Sequence, residues 1–226
     1  MNVFIIIPAY NEEKTIEKVL NEVVSFYRNV IVIDDGSTDN TLKILEHIPD
    51  IVVCKHIVNR GQGAALATGT RKALRMGADV IVHFDADGQM QAEDIKKVTD
   101  PVINDNYDVA IGSRFMDIKS NIPKVRKLLL YFAKHFNKIF LGIPDDIKDT
   151  TSGFRALSRK AALEIEITQD RMAHCSEILK EIFRKKLKAA EVPVKIEYTK
   201  YSLQKGQKAS NAFQIVWSLF ISKFQK

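Results

Sequence analysis

Residues 80–89 read Val80-Ile81-Val82-His83-Phe84-Asp85-Ala86-Asp87-Gly88-Gln89. The first five form an apolar run that predicts a buried strand. Two carboxylates, two residues apart, then leave the strand's carboxyl end, where open α/β sheets bind ligands. Hard oxygen ligands of this kind suit Mg²⁺ or Mn²⁺, which keep waters and hold substrate phosphates through one or two carboxylates. An acidic pair at a strand end is equally well a solvated turn, so the surrounding segments have to decide.

Working outward, strands and helices alternate through the first half. Strands are predicted at 3–7, 30–34, 51–53, 80–84 and 108–112. Helices are predicted from Thr15 to Phe26, from near Ser37-Thr38-Asp39, from Gln62 to Met76 and from Gln91 to Ile103. Short apolar strands alternating with helices mean parallel pairing, with helices on both faces of the sheet. The rhythm breaks after residue 116. A long amphipathic helix is expected over 122–141, then a polar loop from Asp145 to Ser152 and a helix over 176–185. A strand over 190–198 and a last amphipathic helix over 211–224 complete the chain.

The 226 residues, 46% hydrophobic, suffice for one large domain or one domain with an extension. Cys54 and Cys175 lie far apart without metal spacing, so both are expected as unpaired thiols of a reducing cytoplasm. The chain enters a strand at Val3, and no leader is expected ahead of it. Charge is distributed unevenly. Residues 1–116 carry 12 Lys and Arg against 17 Asp and Glu, whereas residues 117–226 carry 22 against 11. The acidic half suits a cation, and the basic half suits phosphates or an acidic membrane surface. The basic excess forms no base-reading helix, which disfavours nucleic acid as a partner.

Motifs gather at the strand ends. Pro8-Ala9-Tyr10-Asn11-Glu12 closes the first strand, where Pro8 is expected to stop the ladder, Tyr10 offers a face for stacking and Glu12 can hold a base or ribose edge. Asp34-Asp35-Gly36-Ser37-Thr38-Asp39 closes the second; Gly36 permits a tight turn, Ser37 or Thr38 caps a helix, and Asp35 is a candidate acceptor for a nucleoside. In Asn59-Arg60-Gly61-Gln62-Gly63, two glycines allow close approach of a ligand or of the first strand. The motif is neither a dinucleotide fingerprint nor a P-loop. Arg114 after the fifth strand can clamp a phosphate, and Arg126, Arg155, Lys205 and Lys208 are further cations for a phosphate funnel.

Taken together, IPAYNEE, IDDGSTDNT, NRGQGAAL, DADGQ, GSRF and DTTSGFR make the chain resemble the family 2 inverting glycosyltransferases of GT-A fold. Within them it is most similar to the polyprenol-phosphate (dolichol-phosphate) mannosyl- or glucosyltransferases. The resemblance spans about residues 3–200 and implies a catalytic domain there, with a nucleotide- and metal-binding half over 1–116 and an acceptor-binding half over 117–200. Residues 201–226 would add a basic loop and an amphipathic helix. The resemblance also implies a GDP- or UDP-hexose donor. Pro8, Ala9, Tyr10, Glu12 and Asp35 would lie about the nucleoside, and Asp85, Asp87 and Gln89 would meet the metal and diphosphate, with Gly61 and Ala86 as further substrate-binding residues. Arg114 and Arg126 would meet the acceptor phosphate, with Arg155 and Lys205 or Lys208 near the donor diphosphate.

The expected chemistry is displacement at an anomeric carbon, with Mg²⁺ or Mn²⁺ on Asp85, Asp87 and Gln89 neutralising the leaving diphosphate. A polyprenyl phosphate acceptor is already an anion and needs no base. A sugar or glycolipid hydroxyl would need one, and Glu177 or Asp149 are the candidates. His174 is read as a packing or loop histidine. A nucleotidyltransferase or an inactive nucleotide-sugar-binding module are less favoured alternatives. No run spans a bilayer, but 122–141 and 211–224, with Trp217 and Phe220 as anchors, suit peripheral contact at the cytoplasmic face of a membrane.

Overall fold

The computed structural model describes residues 1–116, 120–144, 147–171, 173–199 and 201–202. Its elements run β1 (Val3–Ala9), α1 (Ile16–Phe26), β2 (Val30–Asp34), α2 (Thr41–Leu45), β3 (Ile51–Lys55), α3 (Gln62–Arg75) and β4 (Val80–His83). The chain continues through α4 (Asp94–Asn104), β5 (Val109–Ser113), α5 (Lys124–Leu141), β6 (Arg155–Ser158), α6 (Arg159–Glu164), α7 (His174–Arg184) and β7 (Ala189–Pro193). All seven strands form one sheet in the order β3-β2-β1-β4-β6-β5-β7. Pairing is parallel except at β6, which runs antiparallel to both β4 and β5. Both halves of the sequence therefore build the same sheet.

Alternation within the strands divides the core into two layers. Ile5, Ile7, Val30, Val32, Val80 and Val82 face one layer with α1 and α4, through Val19, Leu20, Val23, Ile95 and Val98. Phe4, Ile6, Ile31, Ile33 and Ile81 face the other with α3, α6 and α7, through Ala65, Leu66, Ala161, Ile178 and Ile182. Helices thus cover both faces, as the continuous apolar strands require.

Four sequence expectations are corrected. Pro8 does not stop the ladder. β1 continues to Ala9 opposite Asp34, because the ring nitrogen of Pro8 faces the β4 side, where pairing has already ended at Ile6 opposite His83. The second helix begins at Thr41 and not near Ser37, since the Asp39 carboxylate accepts from Thr41 N and Glu13 N and holds 37–40 as a turn. The last described strand stops at Pro193; beyond it only Ile196 makes a bridge, to Met90. β6 and α6 carry no apolar run and were not anticipated. Lys205, Lys208 and the helix expected over 211–224 lie outside the described residues.

Gly69, in the middle of α3, lets that helix lie against β1 and β2. A Cβ there would run into the Ile6 side chain and lie 2.7 Å from the Ile33 side chain. Overpacking of this kind costs about 1–3 kcal/mol. Gly69→Ala is expected to lower stability by that amount in urea unfolding, despite the better helix propensity of alanine.

Candidate active site

The chain passes from β1 to β2 to β3 on one side of the sheet and then crosses to β4 on the other side of β1. The crevice at the carboxyl ends of β1 and β4 is thus a topological switch point, the place where ligands bind such sheets. Every motif named from the sequence, within the described residues, ends near this edge.

At the end of β2, Asp35 is 3% exposed and its carboxylate is held from three sides. Oδ1 lies 2.6 Å from His56 Nδ1 and accepts from Arg60 N at 3.0 Å; Oδ2 accepts from Gly61 N at 2.7 Å. Gly36 adopts φ +71°, and a Cβ there would lie 2.8 Å from Asn59 N, so only glycine lets the two loops meet. Gly61 and Gly63 admit close approach as expected, but their neighbour is the backbone of Gln169 and Asp170, not the first strand. Ala64 N also donates to Asp170 O, at 3.1 Å. Pro8 and Ala9 close β1 beside this group, and Tyr10 follows with 41% exposure. Glu12 is buried; its Oε2 accepts from Thr15 Oγ1 at 2.8 Å and from the Tyr201 hydroxyl at 3.2 Å.

At the end of β4, Asp85 Oδ1 accepts from Gln62 Nε2 at 2.7 Å. Asp87 accepts from both the backbone and the side-chain amide of Gln89. Gln89 is therefore the Asp87 partner, and Ala86 is buried between the two acids. Burial, then the charge of Asp87 and then Cys175 push the Asp85 carboxyl up to about 7. Gly153 passes directly over Asp85: a Cβ on it would lie 3.1 Å from Oδ2.

Register explains what comes next. His83 pairs with Arg155 across the antiparallel β4–β6 ladder, which buries the Arg155 guanidinium at 2% exposure. Its Nη2 donates to Ser152 O, whereas Nη1 is buried and has no hydrogen-bond partner among the described residues. A buried donor left unsatisfied costs free energy unless a ligand completes it. The start of α7 closes the cluster. Cys175 Sγ lies 3.4 Å from His174 Nε2, and His174 Nδ1 lies 2.9 Å from Arg171 O. Burial alone would raise the Cys175 thiol, but His174 and Arg155 overcome it and bring it down to about 6. His174 and Cys175, read from the sequence as a packing histidine and an inert thiol, thus belong to the site. Their only sequence signal was adjacency in a helix start that the expected boundary at 176 left out.

At the end of β5 stands a separate cluster. Arg114 Nε donates to Asp149 Oδ2 at 2.6 Å and Nη1 to the Tyr198 hydroxyl at 2.7 Å, while the Arg126 guanidinium lies 5.0 Å from the Tyr198 ring centre. The two arginines expected at an acceptor phosphate therefore share one tyrosine. Asp149, buried and paired with Arg114, also accepts from Thr151. Glu177 accepts from Thr168 N, Thr168 Oγ1 and Gln169 N. Both candidate bases are thus committed to internal donors, and Glu177 staples the 168–169 loop.

One edge of an α/β sheet thus gathers paired acids, a buried arginine and a glycine-lined loop. Residues 4–165 match the family described as Glycosyl transferase family 2. The chain belongs to that family and is a glycosyltransferase. It is 36% identical over 245 residues to the UDP-N-acetylglucosamine–dolichyl-phosphate N-acetylglucosaminyltransferase of Methanococcus voltae, covering 99% of this chain and 97% of the relative. It is 32% identical over 184 residues to the polyprenol monophosphomannose synthase of Mycolicibacterium smegmatis, covering 77% and 68%. The GT-A fold is shared with glucosyl-3-phosphoglycerate synthase of Mycobacterium tuberculosis, solved with Mn²⁺, UDP-glucose and glycerol 3-phosphate. The match has a TM-score of 0.74 at 18% identity, covering 98% and 79%.

The raised Asp85 carboxyl has a stability consequence. Its folded-state value, about 7, exceeds its ordinary 3.8, so the folded protein holds a proton that the unfolded chain releases. Chelator-treated protein should lose stability as pH rises from about 4 to about 7. Asp85→Asn should flatten that slope and, at pH 8, raise stability by on the order of 1 kcal/mol while abolishing transfer. Thermal melts across pH read the first two effects.

Proposed function

We propose that the chain transfers a hexose-class sugar (mannose, glucose or an N-acetylhexosamine) from a nucleoside-diphosphate sugar to a polyprenyl phosphate, with inversion, at the cytoplasmic face of a membrane. The observation that carries this reading is the buried Arg155 Nη1, without a hydrogen-bond partner among the described residues, in one cluster with Asp85 at the switch point. The names of the Methanococcus and Mycolicibacterium relatives support the lipid phosphate acceptor.

A divalent cation fits Asp85 and Asp87. The charge of Asp87 raises the cost of ionising Asp85, and a cation between them removes it. Among the described residues no group of three or more His, Cys, Asp or Glu would hold a metal by itself. Such a donor set suits Mg²⁺ or Mn²⁺ completed by phosphate and water. When bound, the ion supplies Lewis-acid neutralisation of the leaving diphosphate. Arg155 adds a fixed donor to the same charge, and preorganised donors of this kind are worth about 3–4 kcal/mol each. Tyr10, Asp35 and the Gly61 loop hold the nucleoside. Arg114 and Arg126 orient the acceptor phosphate, whose own negative charge makes a general base unnecessary. A hydroxyl acceptor gains no support from the geometry, since Glu177 and Asp149 are both occupied.

α5 supplies the membrane face in this reading. Leu128, Tyr131, Phe132 and Ile139 are between 56% and 71% exposed on a helix that also carries Lys124, Arg126, Lys127, Lys134 and Lys138. Exposed aromatics among basic side chains suit an anionic interface. Among the described residues no helix is long and apolar enough to cross a membrane.

Two measurements test the proposal. Purified protein with Mn²⁺ is incubated with UDP-N-acetylglucosamine, UDP-glucose or GDP-mannose, with and without a short polyprenyl phosphate, and lipid-linked sugar is read by mass spectrometry. Transfer to lipid with one donor, lost at least about a hundredfold in Asp87→Ala, is expected. Donor hydrolysis without lipid product would move the acceptor to a hydroxyl. Separately, Phe132→Asp is expected to reduce sedimentation with anionic phospholipid vesicles while leaving the melting temperature within a few degrees of the parent.

A further inference from the structure

His56 belongs to no motif, yet it has the best-defined side-chain environment on the nucleotide side of the site. Its Nδ1 lies 2.6 Å from Asp35 Oδ1 and its Nε2 lies 3.0 Å from Thr68 Oγ1. Arg71 Nη2 reaches the same Thr68 oxygen at 3.4 Å. A carboxylate only accepts, so the hydrogen sits on Nδ1. Thr68 then donates to Nε2 while its oxygen receives Arg71. The donors line up in one direction, Arg71 to Thr68 to His56 to Asp35. The side chains of His56 and Asp35 are only 10% and 4% exposed, so water does little to loosen the chain.

The number of acceptor positions left on Asp35 follows. A carboxylate offers about four lone-pair positions. His56 and Arg60 N take both on Oδ1, and Gly61 N takes one on Oδ2. One position on Oδ2 remains. Guanine presents two adjacent donors, N1–H and the N2 amine, and pairs with a carboxylate that has both oxygens open. Uracil presents a single N3–H between two carbonyls. Cytosine would set its N3 lone pair against the carboxylate.

We infer that His56 is a positioning residue that sets donor specificity: by occupying Asp35 Oδ1 and fixing its plane, it restricts the site to a uracil-type base. The inference rests on the proposed placement of the nucleoside at Asp35 and deepens it by naming the base class. Without His56, Arg60 N and Gly61 N still hold one oxygen each, but the plane is less firmly fixed and Oδ1 regains an open acceptor position, which weakens uracil binding and removes the bar to guanine.

The test is calorimetric titration of the full chain, in Mn²⁺, with UDP and with GDP. The parent is expected to bind UDP at least about tenfold tighter than GDP, the ratio one charged hydrogen bond supports. His56→Ala should weaken UDP about tenfold and GDP less than about threefold, so that the ratio collapses. In His56→Asn, Nδ2–H replaces Nδ1–H and should restore the preference. In steady-state transfer, His56→Ala should raise donor KM while kcat stays within about twofold, a split that a general loss of structure does not produce. If His56→Ala fails to fold by circular dichroism, Thr68→Val leaves the imidazole in place and should lower the UDP/GDP ratio about threefold. A parent that binds GDP as tightly as UDP, or folded His56→Ala and Thr68→Val variants with the ratio intact, overturns the inference. Asp35→Asn separates the two levels. Unchanged UDP affinity there overturns the nucleoside placement itself, whereas lost affinity with an intact ratio in the His56 variants overturns the positioning role alone.

Discussion

The site depends on one pairing, the antiparallel ladder between β4 and β6. A parallel strand in that place would reach the carboxyl edge with its last residue. An antiparallel strand reaches it with its first, so Arg155 arrives opposite His83, next to the acids that follow β4. The Ser152-Gly153-Phe154 turn before it must then cross over Asp85, and Gly153 leaves room for that crossing. Phe154 meanwhile packs edge-on against Phe84 at 5.4 Å, which ties the turn to the core. The charge cluster is thus a by-product of strand direction: reversal of one four-residue strand brings a buried cation to two half-buried acids.

The same sheet separates three electrostatic tasks along its edge. Asp35 lies on the β2 side, in a network of backbone amides and an imidazole. Asp85, Arg155, His174 and Cys175 occupy the middle and perturb one another. Arg114, Asp149, Tyr198 and Arg126 stand beyond β6, and there a buried ion pair holds the arginine plane. Such a pair adds little net stability but fixes the geometry of the arginine.

Much of this was legible in the sequence. The strands of the first half showed as continuous apolar runs because both of their faces are covered, and the acids at their ends showed because they interrupt those runs. Arg155-Ala156-Leu157-Ser158 did not show: four residues with a charge at one end and a hydroxyl at the other have no periodicity to read, and the strand exists because β4 and β5 leave a gap for it. Glu177 looked like a free acid at a helix start. Its role in holding Thr168 and Gln169 depends on a loop that local pattern does not position. His56 was invisible for the same reason, since both of its partners, Asp35 and Thr68, become neighbours only when β2 and α3 pack.

The backbone-to-backbone meeting of the Gly61–Gly63 segment with Gln169 and Asp170 has a mechanical consequence. The Cβ position of Gly61 faces Asp170 O and Arg171 Cγ, and that of Gly63 faces Gln169 O and His174 Cβ, so either segment, if displaced, meets backbone or the stem of a side chain. One of them caps Asp35, and the other leads within five residues into His174 and Cys175. Close-packed contacts without compliant atoms transmit strain instead of dissipating it. The two segments therefore act as a single jaw, so that, on the proposed placement of the donor, a shift at the sugar end is felt at the base end.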